Sequence, residues 1–128
     1  MTCLLDTHII LWIALEPEKL SRKTFDLIGN QENSLVISTA SVWEIVLKVS
    51  IGRLSIPMNL EAFIRTTLSR LNARVINITL DDTLGIGSLP LHHKDPFDRI
   101  LISQSRTREI PIITKDAQIG RYDVEIIW

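Results

Sequence analysis

The sequence predicts an α/β fold in which helices cover both faces of a central, mostly parallel sheet. Short apolar segments alternate with segments whose apolar residues recur at helical spacing, a pattern typical of parallel strands buried on both faces. The 128 residues are 45% hydrophobic and 23% charged, which suits a globular chain. No repeat, low-complexity tract or linker divides it, so we expect a single domain over residues 1–128.

Five short segments are predicted to be strands because they are apolar and rich in β-branched residues. Helical segments separate them, and such alternation favours parallel pairing. In chain order the predicted strands are residues 2–6, 34–38, 73–78, 108–114 and 123–127.

The segments between the strands carry helix start and stop signals. Ser21 is suited to cap a helix that stops at Gly29, and Thr79 to cap a short helix after the third strand. Asp95 precedes Pro96, which makes it a good N-cap with proline at the first helical position. The predicted helices are residues 7–15, 22–29, 39–51, 79–89 and one from 96 onward, with a short helix or loop over 115–122. Residues 56–71 are predicted to form a turn followed by another helix.

Charge, cysteine content and the N-terminus limit the classes of function. The net charge of −1 gives no strong field that would attract nucleic acid, so such binding needs a local basic patch. Cys3 is the single cysteine, which excludes an internal disulfide and fits a reducing compartment. The apolar N-terminal segment carries Asp6 and His8, lacks a basic leader and is too short to span a membrane. We therefore predict a cytoplasmic protein without a membrane segment.

Four acidic residues lie at or just beyond the predicted strands. Asp6 closes the first strand, and Glu44 lies early in the helix that follows the second. Asp98 opens the helix after the loop, and Asp116 follows the fourth strand. Ligand sites of such sheets lie beyond the carboxyl ends of the strands, so we expect these side chains to share one crevice.

Each acid also has a purely structural explanation. Asp6 and Asp95 stand where helix N-caps are expected, and Asp98 then falls in a first turn, where an acid suits the helix dipole. Glu44 and Lys48 could form an i,i+4 pair on a helix surface, and Asp116 could be a turn residue.

Taken together, the acids predict a cation site. Four carboxylates near one crevice repel each other unless a cation offsets their charge. Oxygen ligands without cysteine or histidine at ligand spacing suit Mg²⁺ or Mn²⁺. One or two such ions orient a water for hydrolysis of a phosphodiester, which is the chemistry we predict.

The histidines are not predicted to be metal ligands. His92 and His93 are neighbours in a loop, and adjacent residues seldom bind one metal with good geometry. Zinc needs a further nitrogen or sulfur ligand, and His8 is the remaining candidate. We expect His92 and His93 to be polar loop residues close to a substrate.

The segments "LLDTHIILW", "ISTASVWEIVLKVSIGRL", "LPLHHKDPFDRILISQS" and "IITKDAQIGRY" resemble, in this order, the PIN-domain ribonucleases. The closest likeness is to the VapC-type toxins of prokaryotic toxin–antitoxin pairs. The resemblance implies a PIN-like three-layer α/β fold and RNA cleavage that depends on Mg²⁺ or Mn²⁺. It also implies a homodimer and a cognate antitoxin protein as partner.

The resemblance assigns roles to individual residues. Thr114 matches a position that supports the site by hydrogen bonding, and Asp95 matches an acid that is common only in this subgroup. His8 departs from the pattern, since many relatives carry Ser or Thr there. The acidic metal site of the family falls on Asp6, Glu44, Asp98 and Asp116.

Three basic residues are candidates for binding phosphate groups without reading sequence: Lys48, Arg99 and Lys115. Lys48 could instead only neutralise Glu44, and Arg99 could be a solvated helix residue. Two rival functions stay open at this point, a catalytically silent PIN-like module and a receiver-like interaction module. A receiver domain needs an acidic pair near the end of its first strand, where this chain has only Asp6.

Overall fold

The computed structural model describes all residues from Met1 to Trp128 and contains one five-stranded sheet in which every pair of neighbours is parallel. The predicted α/β class is confirmed. The strands are β1 (Thr2–Leu5), β2 (Ser34–Ser38), β3 (Arg74–Ile76), β4 (Ile112–Ile113) and β5 (Ile126–Ile127).

Six α-helices flank the sheet, and their caps are largely those that the sequence predicts. Ser21 Oγ accepts a hydrogen bond from Thr24 N, and Asp95 Oδ1 accepts from the amides of Phe97 and Asp98. Two short 3₁₀ turns span Pro17–Lys19 and Ile119–Arg121. The helices are α1 (Thr7–Leu15), α2 (Arg22–Gly29), α3 (Thr39–Ser50), α4 (Leu60–Leu71), α5 (Leu80–Ile86) and α6 (Pro96–Arg108). None of them has both the length and the apolar character needed to cross a membrane.

The strand order is β3-β2-β1-β4-β5. The chain therefore builds outward from β1 through β2 to β3, and then returns to place β4 on the other side of β1. The order reverses between β1 and β4, and ligands of open parallel sheets bind beyond such a reversal. The residues directly after these two strands are thus the first place to look for a site.

An apolar core lies on each face of the sheet. Leu4 and Ile112 belong to one buried cluster, which α6 completes with Leu101. Leu5 and Ile113, the next residue of each strand, belong to the cluster on the other face. Side chains that alternate between two buried faces explain why the strands are apolar throughout, as the sequence predicts.

The strands β4 and β3 are shorter than predicted. Only Ile112 and Ile113 of the predicted segment 108–114 pair as a strand. Glu109 adopts a left-handed conformation (φ 53°) where α6 ends, and Pro111 has no N–H to donate, so the ladder begins at Ile112. The edge strand β3 likewise covers three residues of the predicted 73–78.

Candidate metal centre

Asp6 lies at the point where the strand order reverses, and it is 2% exposed. Its Oδ1 accepts from Thr7 N at 2.6 Å, which caps α1 as the structural explanation requires. Its Oδ2 accepts from Thr114 Oγ1 at 2.7 Å and lies 3.0 Å from His8 Nδ1. Thr114 follows β4, so the threonine joins the ends of the two strands across the reversal. Burial lowers the pKa of His8, but the hydrogen bond to Asp6 and the charges of the nearby carboxylates together outweigh burial and raise it.

Glu44 reaches the same place from α3. The Thr7 hydroxyl donates to Ser41 Oγ at 3.0 Å and fixes this face of α3 against the start of α1. Glu44 is 5% exposed, and its Oε2 pairs with Lys48 Nζ at 2.7 Å. Its Oε1 is buried and has no hydrogen-bond partner. A buried carboxylate oxygen without a partner is costly, which indicates that another group completes this site.

The valines of α3 do not form its main buried face. Ala40, Ser41, Glu44 and Ile45 are buried, whereas Val46 is 36% exposed. The polar residues of α3 thus face inward to the strand ends. Together with Trp43, which is 59% exposed, the valine side forms part of an apolar groove against α4.

Asp98 stands in the first turn of α6, with its side chain 15% exposed. Burial raises the pKa of its carboxyl, and nearby acids raise it further, to about 8. These acids are Asp6, Asp95, Glu44 and Asp116. Asp98 is therefore protonated at neutral pH while no cation offsets its neighbours.

Asp6, Glu44 and Asp98 line one small cleft of about 180 Å³, and Asp95 and Lys48 lie at its rim. Asp116 stands at the edge of this arrangement. Its backbone N–H donates to Thr114 Oγ1 at 2.9 Å, and its Oδ2 lies 3.0 Å from His93 Nε2. The structure thus brings the four predicted acids together, three around the cleft and one beside it.

His93 is the residue of the site that the sequence did not assign. Its ring turns inward, and its Nε2 lies 2.9 Å from Asp98 Oδ2 as well as close to Asp116. His92 turns outward and packs edge-on against the Tyr122 ring. No local signal distinguishes the two neighbouring histidines, because the distinction depends on how a distant tyrosine holds the loop.

The predicted phosphate-binding residues differ in their surroundings. Lys48 lies at the cleft and is 44% exposed. Lys115 Nζ lies 5.7 Å from the ring centre of Trp128 and 6.0 Å from that of Trp12. The Arg99 guanidinium donates to the carbonyls of the loop before α6 and to Tyr122 Oη, so it holds that loop rather than pointing into solvent. Of the three, Lys48 is best placed to meet a phosphate at the cleft.

The donor set fits a hard divalent cation. Asp6, Glu44 and Asp98 all offer carboxylate oxygens to the cleft, the ligands that Mg²⁺ and Mn²⁺ prefer. His8 also lines the cleft, with its Nδ1 3.0 Å from Asp6 Oδ2. Oε1 of Glu44 has no partner although Oε2 pairs with Lys48, and the raised pKa of Asp98 reflects burial and the negative charge of its neighbours. A bound cation would answer both.

A parallel sheet with acids at its reversal point defines an α/β domain with a carboxylate site. The PIN domain family model matches residues 3–125, and the chain belongs to that family. No curated protein matches the sequence.

Solved structures share the fold at low sequence identity. VapBC2 from Rickettsia felis, solved bound to a DNA fragment from its promoter, is 16% identical with a TM-score of 0.74 over 99% of this chain and 98% of that one. VapBC from Salmonella typhimurium, solved bound to DNA, is 14% identical with a TM-score of 0.71 over 99% and 97%. VapBC-5 from Mycobacterium tuberculosis, a member of a family of toxin–antitoxin systems, is 17% identical with a TM-score of 0.63 over 98% and 97%.

Proposed function

We propose that this PIN domain is a metal-dependent ribonuclease and the VapC-type toxin of a type II toxin–antitoxin pair. The observation that carries the proposal is the buried, partnerless Oε1 of Glu44 in a cleft that Asp6 and Asp98 share. A silent interaction module has no need for this arrangement, because a buried carboxylate oxygen without a partner is costly and neighbouring acids repel each other. The family match and the fold of the toxin–antitoxin complexes support the assignment.

The residues divide the work of hydrolysis among them. Asp6, Glu44 and Asp98 would hold Mg²⁺ or Mn²⁺, with Asp116 binding directly or through water. Such an ion would supply Lewis-acid chemistry, which would make a water easier to deprotonate and offset charge on the phosphate. Thr114 fixes the Asp6 carboxylate by a 2.7 Å hydrogen bond, and the Lys48 ammonium beside Glu44 offers charge to an incoming phosphate.

We expect RNA cleavage by the purified protein to stop in EDTA and to return with Mg²⁺ or Mn²⁺. Glu44→Gln should reduce cleavage at least a hundredfold, because the amide keeps the shape of the side chain and removes its charge. The measurement is the initial rate on a labelled RNA at saturating metal, together with the metal affinity by calorimetry.

Glu16→Gln is the matched control, because Glu16 also pairs with a lysine, Lys19 at 2.8 Å, but its side chain is 47% exposed and far from the acids of the cleft. This variant should cleave RNA like the wild type. Metal-dependent cleavage that survives Glu44→Gln would contradict the site, and a folded wild type with no metal-dependent cleavage would favour the silent module.

The proposed antitoxin has a suitable surface in the apolar groove between α3 and α4. Val42, Trp43 and Val46 line one side, and Leu60, Ile64 and Leu68 line the other. Exposed apolar surface of this kind marks protein contacts in soluble domains. A partner helix with an apolar face would fit it, in the manner of other helix-in-groove complexes. A homodimer is also part of the proposal, and light scattering of the purified protein tests it.

Co-expression with the product of the neighbouring reading frame should yield a complex that suppresses cleavage. Val46→Glu, at a position that is 36% exposed, should weaken binding at least tenfold because it buries a charge in the groove. Leu84→Glu is the control, since Leu84 is 65% exposed and lies on α5, outside the groove. Equal binding of both variants would place the partner elsewhere, and no bound partner would contradict the antitoxin assignment.

A further inference from the structure

Every polar atom of His93, in the backbone and in the ring, has a hydrogen-bond partner. Its backbone N–H donates to Tyr122 Oη at 2.7 Å, and its carbonyl accepts from Arg99 at 3.3 Å. Arg99 also donates to Tyr122 Oη at 3.3 Å, so the tyrosine and the arginine brace each other around the loop. The position of the His93 ring is therefore set by groups outside the carboxylate cleft.

The hydrogen bonds of the ring decide its tautomer. The backbone N–H of Asp95 donates to His93 Nδ1 at 3.2 Å, so Nδ1 must offer its lone pair. A neutral imidazole carries one hydrogen, which then resides on Nε2. Nε2 lies 2.9 Å from Asp98 Oδ2 and 3.0 Å from Asp116 Oδ2, within hydrogen-bond distance of both carboxyl groups.

We propose that His93 is a positioning residue whose Nε2–H holds the carboxyl groups of Asp98 and Asp116 at the spacing that cation binding requires. The inference rests on the proposed metal site and adds a residue to it. Ligation of a metal through Nε2 would need the lone pair there and a hydrogen on Nδ1, which would face the Asp95 N–H. His93 thus acts through the carboxylates and adds no nitrogen ligand of its own, which suits Mg²⁺ and Mn²⁺ better than Zn²⁺.

Asp95 connects this device to α6. Its carboxylate accepts from the amides of Phe97 and Asp98 and so begins the helix, while its own amide sets the tautomer of the histidine. One residue therefore orients both partners of the contact between His93 and Asp98. This gives Asp95 a supporting role that needs no direct contact with a cation.

Three substitutions of His93 test whether a hydrogen-bond donor at the position of Nε2 is sufficient without the imidazole ring. The nitrogen of a glutamine amide is as many bonds from Cα as histidine Nε2, whereas that of asparagine corresponds to Nδ1. His93→Gln should therefore keep the Mn²⁺ affinity within a few-fold of the wild type. His93→Asn and His93→Leu should weaken Mn²⁺ binding about ten- to a hundredfold, the range typical of substitutions at residues that orient metal ligands. Calorimetry with Mn²⁺ measures these affinities, and His92→Leu, at the outward-facing neighbour, should bind like the wild type.

Two spectroscopic readouts test the inference directly. In the metal-free protein, ¹H–¹⁵N spectra of the imidazole should show the Nε2–H tautomer of His93, and the Nδ1–H tautomer would overturn the proposal. Pulsed EPR of the Mn²⁺ complex should show no directly bound nitrogen from His93, so His93→Leu should leave the ¹⁴N couplings unchanged. A directly bound ¹⁴N that disappears in His93→Leu would overturn the proposal as well.

The outcomes distinguish this inference from the proposed function. A wild type that binds no Mn²⁺ would refute the metal site, and the tautomer spectrum would still decide how His93 is held. A wild type that binds Mn²⁺ as tightly as a folded His93→Leu protein would refute the positioning role alone.

Discussion

Asp98→Asn is expected to make the metal-free protein more stable and to remove the effect of the cation. Burial and the carboxylates of Asp6, Asp95, Glu44 and Asp116 raise the pKa of Asp98 to about 8. In the unfolded chain the same carboxyl titrates near pH 4 (about 3.9). Between these values the folded state keeps a proton that the unfolded state releases, so the stability of the wild type falls as pH rises from about 4 to about 8.

The size of this effect is a few kcal/mol. A carboxyl pKa of about 8 in the folded state and about 4 in the unfolded state corresponds to at most about 5 kcal/mol of unfolding free energy. Solvent at the rim of the cleft lowers that figure. Asparagine removes the titrating group, so the variant should lack this decline. At pH 8 in EDTA it should melt about 5–15 °C above the wild type. At pH 5 the melting temperatures of the two proteins should differ less.

Addition of metal should make the wild type more stable than Asp98→Asn. The wild type gains about 2.7 kcal/mol when Mn²⁺ is a hundredfold above its dissociation constant, whereas Asp98→Asn should gain little. RNA cleavage by the variant should fall by about a thousandfold, which corresponds to about 4 kcal/mol of transition-state stabilisation. Melting curves at both pH values, in EDTA and in Mn²⁺, measure the stability effects.

Asp81→Asn provides the comparison, because Asp81 is an exposed acid in the first turn of α5. Its melting temperature should follow that of the wild type under all four conditions. If Asp98→Asn follows the wild type in the same way, then Asp98 is only a helix-start residue and the cation site is misassigned.

The acids of the site could be predicted because their position follows from topology. A parallel sheet places the carboxyl end of every strand at one edge, so Asp6 and Asp116 were expected to meet there without knowledge of side-chain geometry. Glu44 was predicted from helical spacing, since its face of α3 also carries Ser41 and Lys48. These inferences depend only on backbone periodicity, which the sequence displays directly.

The roles of His93 and Arg99 could not be predicted, because both depend on Tyr122. The tyrosine lies 29 positions from His93 along the chain, and its hydroxyl joins the loop to the guanidinium. Sequence spacing gives no information on such a contact. The short extent of β4 could not be predicted either, because it depends on which backbone groups can pair with the neighbouring strands, and Pro111 has no N–H to donate.

A second large effect is expected outside the cleft, at an ion pair between α5 and α6 whose carboxylate is buried and whose arginine side chain is 25% exposed. Asp82 is fully buried, and Arg108 donates to both of its carboxylate oxygens at 2.7 and 3.1 Å. Asp82 also completes the capping box of α5 with Thr79 and accepts from Gln104 Nε2. Burial alone would raise the pKa of Asp82, but the hydrogen bonds from Arg108, Thr79 and Gln104 outweigh burial and lower it.

Arg108→Leu should therefore cost about 3–5 kcal/mol at pH 7, because it leaves a buried carboxylate without its counterion. The expected drop in melting temperature is about 10–20 °C. A lowered pKa contributes stability above the unfolded value of about 4, and this contribution is lost as pH falls through the folded value. The difference in unfolding free energy between Arg108→Leu and the wild type should thus be smaller at pH 3 than at pH 7, because the wild type loses the contribution of Asp82 at low pH. Urea unfolding at both pH values measures this difference.

Two further variants identify the source of the cost. Arg22→Leu breaks a contact of similar form, with Asp26 Oδ1 and Oδ2 at 3.1 and 3.0 Å, but those side chains are 88% and 58% exposed. It should cost less than about 1 kcal/mol, since water replaces the lost partner. Adding Asp82→Asn to Arg108→Leu removes the buried charge and should restore part of the stability. If the double variant is less stable than Arg108→Leu, then lost packing of the arginine stem outweighs the unpaired charge.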